Sequence, residues 1–236
     1  MTVKAVLFDL DDTLYGDFDT CDRLGLLAAG QYAEQAIGIP AQKAAEAMHN
    51  GRLQLREMRR DEPESHDRTL FAKLGLEALG INPIPHAEAM HHAYWDAVLN
   101  AMEIREGVSD LLTRLKDAGI PVGICTNMTA DIQMRKLCRL GLADICGNLI
   151  SSEEAGRDKP FPEIFQLAAQ RLGVPAEQIL MVGDSLNHDV RGAVAAGMQA
   201  LWLNLKNAFA PTADMPMFVA SDFPAAAAQI IRLCHL

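Results

Sequence analysis

Apolar and polar positions repeat with two different periods along this chain. Short apolar, β-prone runs occur at Val3–Leu10 (VKAVLFDL), Pro121–Thr126 (PVGICT), Ile179–Val182 (ILMV) and Ala200–Leu203 (ALWL), with a weaker one at Asn148–Ser151 (NLIS). Runs of this length read as buried strands. Between them the period lengthens. Val108, Leu111, Leu112 and Leu115 recur at i, i+3, i+4 and i+7; Ile132, Leu137 and Leu140 fit a second helix, Ile164–Leu172 a third and Val190–Ala196 a fourth. Gly119, Gly141, Gly173 and Gly197 each fall just past one of these helices, where a left-handed residue is needed to end it. Strands alternating with helices predict an α/β fold, a parallel sheet with right-handed crossovers.

Residues 17–100 break that rhythm. They hold no convincing strand, are rich in Ala, Glu, Arg, Gln, Met and Leu, and are interrupted at Gly38–Pro40, Asp61–Pro63 and Gly80–Pro85. The stretch is too long for an ordinary crossover and reads as a smaller helical domain inserted after the first strand. At the other end, Phe223–His235 is Ala-rich and predicted helical, with Ser221 or Asp222 as its cap and Pro224 in its first turn.

Composition narrows the class. Half of the 236 residues are hydrophobic and 22% are charged, which argues against disorder, collagen and coiled coil. Nothing approaches the roughly 20 unbroken apolar residues of a membrane helix. The opening MTVKAVLFDLDD lacks the apolar length and cleavage pattern of a signal peptide. Five cysteines (Cys21, Cys125, Cys138, Cys146, Cys234) form no C-x-x-C pair and read as free thiols in a reducing cytosol, so the expected location is cytoplasmic. With 21 basic and 31 acidic residues the formal charge is −10. Such a surface repels nucleic acid polymers and anionic lipid, so neither is an expected partner. An anionic substrate would need local positive charge, from a metal ion and one or two lysines.

In open parallel sheets, ligands bind outside the carboxyl ends of the strands. After the first strand come Asp9, Asp11, Asp12 and Thr13; after the second, Thr126 and Asn127. Lys159–Pro160 follows the weak strand and a loop, and Gly183, Asp184, Ser185 and then Asp189 follow the strand Ile179–Val182. Asp9 and Asp11, two apart, would project to one side of an extended chain and repel unless a cation is bound or one is protonated. Asp184 adds a third acid. An oxygen-only set with room for water and phosphate suits Mg2+ better than zinc. Lys159 supplies fixed positive charge, and Thr126 with neighbouring N–H groups supplies anion donors. Plainer readings stand beside these: Asp12 and Asp17 as turn or cap residues, Ser185 as a helix cap, Asp189 as a group that orients its neighbours.

At these residues the sequence resembles the haloacid dehalogenase (HAD) superfamily of hydrolases. The matches are FDLDDT (Phe8–Thr13), the Thr126–Asn127 pair, Lys159 in KP, and GDSLNHD (Gly183–Asp189), in the family's order. With the helical insertion they span nearly the whole chain. The resemblance implies a Rossmann-like core, residues 1–16 and 101–236, and an all-helical cap domain, residues 17–100. It implies Asp9 as a nucleophile forming an aspartyl-phosphate, and Asp11 as general acid and then base, with a raised pKa. It places Mg2+ on the Asp9 carboxylate, the Asp11 backbone carbonyl and Asp184, with Asp189 supporting the metal's water shell. Thr126 and the Asn127 region would hold phosphoryl oxygens, and Lys159 would neutralise Asp9 and the transferring group. Family members that cleave carbon–halogen bonds lack the second Asp, so Asp11 favours phosphoryl chemistry.

The expected activity is a Mg2+-dependent phosphatase for a small phosphorylated metabolite, a nucleotide or sugar phosphate, and FDLDDTLY looks like subgroups with nucleotidase members. The alternatives are a phosphosugar mutase of the same superfamily, a receiver-type phosphoacceptor domain, and a silent binding protein. Monomer and homodimer both stay open. Cap candidates for substrate contact are Tyr15, Arg52, Arg56, Arg59, Arg60, His66 and Arg68. The Arg52–Arg60 cluster reads first as a solvated helix face, and Trp95, near His91 and His92, as packed.

Overall fold

The computed structural model describes residues 2–208 and 217–236. The chain divides into two compact units, Met1–Gly16 with Glu103–Leu236, and Asp17–Met102. The second unit contains helices α1 (Phe18–Ile37), α2 (Ala41–Met58), α3 (Arg68–Ala78) and α4 (Ala87–Ala101). The first contains α5 (Val108–Asp117), α6 (Ala130–Arg139), α7 (Ser152–Ala155), α8 (Pro162–Leu172), α9 (Gly192–Ala195) and α10 (Phe223–Leu233). Its strands are β1 (Ala5–Phe8), β2 (Val122–Thr126), β3 (Asn148–Ser151), β4 (Ile179–Gly183), β5 (Gln199–Leu203) and β6 (Met217–Ala220). No helix among the described residues is long and apolar enough to cross a membrane.

The strands form one sheet in the order β3-β2-β1-β4-β5-β6, with every pairing parallel. From β1 the chain moves outward through β2 and β3, then returns to β4 and moves the other way. The order therefore reverses between β1 and β4, which opens a crevice at their carboxyl ends. Both faces are covered. Ala5, Leu7, Cys125, Ile150, Met181 and Trp202 pack with Ile164, Phe165 and Ala168 of α8 and with Val190 and Ala193. On the opposite side α5 packs against β2, and α10 against β5 and β6. This double coverage is why β1, β2 and β4 are buried at every position and read as unbroken apolar runs.

Two elements differ from expectation. Instead of one helix over Val190–Ala196, a π-helical turn spans Leu186–Arg191 and α9 follows it. Ser185 caps the turn by accepting from His188 N at 3.2 Å. Strand β6 was not foreseen. Only its last residue is buried, and Phe218 and Val219 are exposed, so it carries no core pattern to detect.

The links to the insertion are tied together within the first unit. Tyr15 and Ile104 form an antiparallel bridge, and Arg105 N donates to Leu14 O at 3.0 Å.

In the second unit the helices pack as α1 on α2, α2 on α3, α3 on α4 and α4 on α1. Asp17 caps α1 by accepting from Thr20 N. Glycines set the closest approach. A Cβ on Gly51 would lie 2.2 Å from the Phe71 carbonyl oxygen, and one on Gly75 would lie 2.6 Å from Ala47 main-chain atoms. A polar network is buried here. Arg52 pairs with Asp22 at 2.9 Å, Tyr94 OH donates to the same carboxylate, and Arg68 Nη2 donates to Tyr94 OH at 3.3 Å. Arg68 also packs over Phe71, Tyr94 and Trp95. The solvated-face reading thus fits Arg56, Arg59 and Arg60, which are exposed, but not Arg52. Trp95 is buried, as its packed reading required.

Candidate active site

Parallel pairing continues one residue past β1, where Asp9 N donates to Val182 O at 2.9 Å. That bond seats Asp9 at the β1/β4 switch point. The chain then turns at once, with Thr13 N and Leu14 N both returning to Leu10 O at 3.3 and 3.0 Å. Asp11 therefore lies in a turn rather than on an extended strand, which corrects the expectation that the two carboxylates share one side. They have separate cations.

Asp9 Oδ1 accepts from Lys159 Nζ at 2.7 Å, and its Oδ2 accepts from Thr13 Oγ1 at 3.0 Å. Thr13 Oγ1 in turn accepts from Asp184 N at 3.2 Å, so one buried hydroxyl links the loops after β1 and β4. Lys159 Nζ also donates to Asp189 Oδ1 at 2.7 Å and to Cys125 O at 2.8 Å. Its three protons are all used and it is 2% exposed. Asp189 Oδ2 accepts from Ser185 N at 2.9 Å. The π-helical turn folds this carboxylate back over the end of β4, where a Cβ on Gly183 would stand 2.2 Å from Asp189 Oδ2. Glycine at 183 makes room for Asp189. Trp202 Nε1 donates to Asp184 O at 2.8 Å and steadies the same loop.

Asp9, Asp184 and Asp189 each offer a carboxylate oxygen, all within 4.8 Å of one another. Three carboxylates around one ammonium leave an excess of negative charge. Burial holds the Asp9 carboxyl well above the usual range; Lys159 opposes this, and Asp189, Asp184 and Asp11 add to it. Asp184 is pushed up to about 7 by burial, then by Asp189 and Asp12, against Lys159 and Lys206. Burial works to deprotonate Lys159, but Asp189 and Asp9 outweigh it and keep the ammonium. The Cys125 thiol is pushed up to about 12, mainly by burial, so it stays protonated and supplies no soft ligand. An oxygen-only, cation-deficient cluster fits a hard divalent ion such as Mg2+.

The Asp11 carboxylate is not part of this cluster. It accepts from Tyr15 OH, from Lys136 Nζ at 2.5 Å and from Gln133 Nε2 at 2.9 Å. As a metal ligand Asp11 would act through its main-chain carbonyl. Its carboxyl was expected to be raised. Burial does push it up, but the Lys136 charge and the hydrogen bonds of Lys136, Tyr15 and Gln133 outweigh burial and hold it below the ordinary value.

Thr126, at the end of β2, accepts from Gln133 Nε2 at 2.6 Å, which leaves its own hydrogen free to donate. The Asn127 side chain is committed elsewhere. Its Oδ1 accepts from Lys159 N at 2.6 Å and its Nδ2 donates to Lys159 O at 3.1 Å. This amide clamps the lysine's main chain rather than reaching toward a phosphoryl group.

Sequence reasoning missed Gln133 and Lys136 altogether and offered Tyr15 only as a substrate contact, whereas Tyr15, in the first unit, bonds the Asp11 carboxylate. One signal was available: Lys136 sits on the buried face of α6 with Ile132, Gln133 and Leu137, a charge inside an apolar stripe.

A family model for haloacid dehalogenase-like hydrolases matches residues 3–197. The ribulose-1,5-bisphosphate 5-phosphatase of Halopiger xanaduensis is 38% identical over 202 residues, 84% of this chain and 83% of its own. The glyceraldehyde 3-phosphate phosphatase of Methanopyrus kandleri is 34% identical over 197 residues, 83% of this chain and 82% of its own. A crystal structure of an HAD phosphatase from Thermococcus onnurineus matches with a TM-score of 0.74 at 27% identity, covering 98% of this chain and 97% of that one. Sequence, fold and strand-end chemistry agree: the chain belongs to the haloacid dehalogenase-like hydrolases and carries their α/β, Rossmann-like core.

Proposed function

We propose that the chain is a Mg2+-dependent phosphatase that hydrolyses a small phosphomonoester through an aspartyl-phosphate on Asp9. The observation that supports this most directly is Lys159 bridging Asp9 and Asp189 at 2.7 Å each, beside Asp184. A phosphomonoester dianion repels a carboxylate nucleophile, so both must be neutralised before they meet. Lys159 contributes one charge. Mg2+, held by the Asp9 and Asp184 carboxylates and the Asp11 carbonyl with Asp189 in support, would supply the rest.

Asp9 attacks phosphorus while the ester P–O bond breaks, and the leaving oxygen takes the Asp11 proton. Water then gives a proton to Asp11 and attacks the phosphoenzyme, releasing phosphate and Asp9. In the free protein Lys136 favours the Asp11 anion. A dianionic ester beside the same carboxyl shifts the balance back toward the protonated form. Thr126 donates to a phosphoryl oxygen, and Asn127 holds Lys159 in register.

The helical unit Asp17–Met102 is read as a cap that selects the substrate and excludes water. The relatives' names favour phosphorylated sugars and trioses as first candidates, while the FDLDDTLY opening keeps nucleoside monophosphates among them. The free cysteines suit a reducing, cytoplasmic setting. The test is a panel of sugar, triose and nucleoside monophosphates assayed for free phosphate with Mg2+ and again with chelator. Metal-dependent phosphate release over many turnovers is expected. Activity unchanged by chelation would remove the metal assignment, and isomer formation without phosphate release would point to a mutase.

A further inference from the structure

Asp11 is gripped from α6 by two residues one helical turn apart. Lys136 Nζ donates to Asp11 Oδ1 at 2.5 Å. Gln133 Nε2 donates to Asp11 Oδ2 at 2.9 Å and to Thr126 Oγ1 at 2.6 Å. A single amide thus spans the carboxyl and the hydroxyl at the end of β2. Both side chains are fully buried. Burying an ammonium on an apolar helix face is unfavourable unless it is paired. The amide has used both N–H groups on these two acceptors, while its Oε1 is buried without a hydrogen-bond partner. Its orientation is therefore set by Asp11 and Thr126, at the expense of its own oxygen. Thr126 Oγ1 accepts from Gln133, so its hydrogen must point elsewhere.

We propose that Gln133 and Lys136 are positioning residues for proton transfer, fixing the plane of the Asp11 carboxyl and the donor direction of Thr126. The inference rests on the reading of Asp11 as the acid. Lys136 anchors one carboxyl oxygen and Gln133 the other, so the carboxyl cannot rotate away from the leaving oxygen. Both residues act through the Asp11 carboxyl, and Gln133 also through the Thr126 hydroxyl.

The test uses leaving-group dependence in the full chain with Mg2+. An alkyl phosphate leaves as an alkoxide and needs the Asp11 proton, whereas p-nitrophenyl phosphate leaves as a stable phenolate and does not. Lys136→Met and Gln133→Met are expected to lower kcat/KM for an alkyl phosphate from the panel above by about 10²-fold, with at most about a five-fold loss on p-nitrophenyl phosphate. General damage to the fold lowers both equally. Asp11→Asn serves as the reference and should show the same split. If Asp11→Asn shows it and neither α6 variant does, the positioning role is overturned while the acid stands. If Asp11→Asn shows no split, the acid reading and this proposal fall together. Should Lys136→Met fail to fold, Gln133→Met, which removes no charge, decides the matter by the same ratio.

Discussion

Lys159 meets three acceptors with three protons, and two of them are the carboxylates of Asp9 and Asp189. A buried cation so fully engaged fixes the direction of Asp9. It also makes a clean substitution possible. In Asp9→Asn the Asn oxygen still accepts from Lys159 or Thr13, and Asp189 still balances the ammonium. Turnover should fall by at least about 10³-fold, with no phosphoenzyme trapped on rapid quench, because the nucleophile is gone. The circular dichroism spectrum should be unchanged. Near-normal turnover in this variant would dismiss Asp9 as nucleophile. Asn127 acts one step back. Asn127→Ala removes both main-chain bonds to residue 159 and should cost about 1 kcal/mol or more in urea unfolding. It should also lower kcat more than it raises KM, since the displaced charge serves the reacting group rather than substrate docking.

Elements bring these residues together through one topological fact, the reversal of strand order between β1 and β4. Close packing matters as much in the second unit, where α2 and α3 meet through Gly51 and Gly75. Gly51→Ala would place a methyl carbon 2.2 Å from the Phe71 carbonyl oxygen. It should destabilise the chain by about 1–3 kcal/mol or more in urea, although alanine is the better helix former; a stabilised variant would contradict the close crossing.

At this scale the sequence was readable where periodicity or topology carries the information. The apolar runs located β1 to β5 because double coverage leaves no polar face, and the glycines after α5, α6 and α8 marked helix ends, each with positive φ. Asp9, Thr126, Lys159 and Asp184 could be grouped because parallel strands present their carboxyl ends along one edge. Side-chain direction was not readable. The turn after Asp9 sends Asp11 toward Lys136, 125 positions away, and nothing local to either residue announces the other. The two bonds from the Asn127 side chain to the Lys159 main chain were likewise not legible in the sequence. The edge strand β6 lacked the burial that makes a strand visible.

Over the whole molecule, the excess of acid at the switch point should give the metal-free protein an unusual pH response. In the folded chain Asp184 is pushed up to about 7 from its ordinary value of 3.8, mainly by burial. Folding takes up a proton between those values. This group's stabilising contribution is fully present below the lower value and is lost as pH rises through the upper one. Asp9 is raised in the same direction. In chelator, Tm should therefore rise as pH is lowered from about 8 to about 5.5. A divalent ion needs the ionised carboxylates, so the Tm gain on adding Mg2+ should be larger at the higher pH. Thermal melts at both pH values, with and without the ion, check both signs; a metal gain that grows toward acid would contradict the cluster as its binding site.

The bridge between Tyr15 and Ile104 carries an evolutionary consequence. An excursion whose departure and return are stitched side by side behaves like a cassette on a closed stem. Its helices can lengthen, drift or be exchanged outright while the hydrogen-bonded seating of Asp9 beside Val182 stays where it is. Changes within the cassette therefore need not disturb that seating.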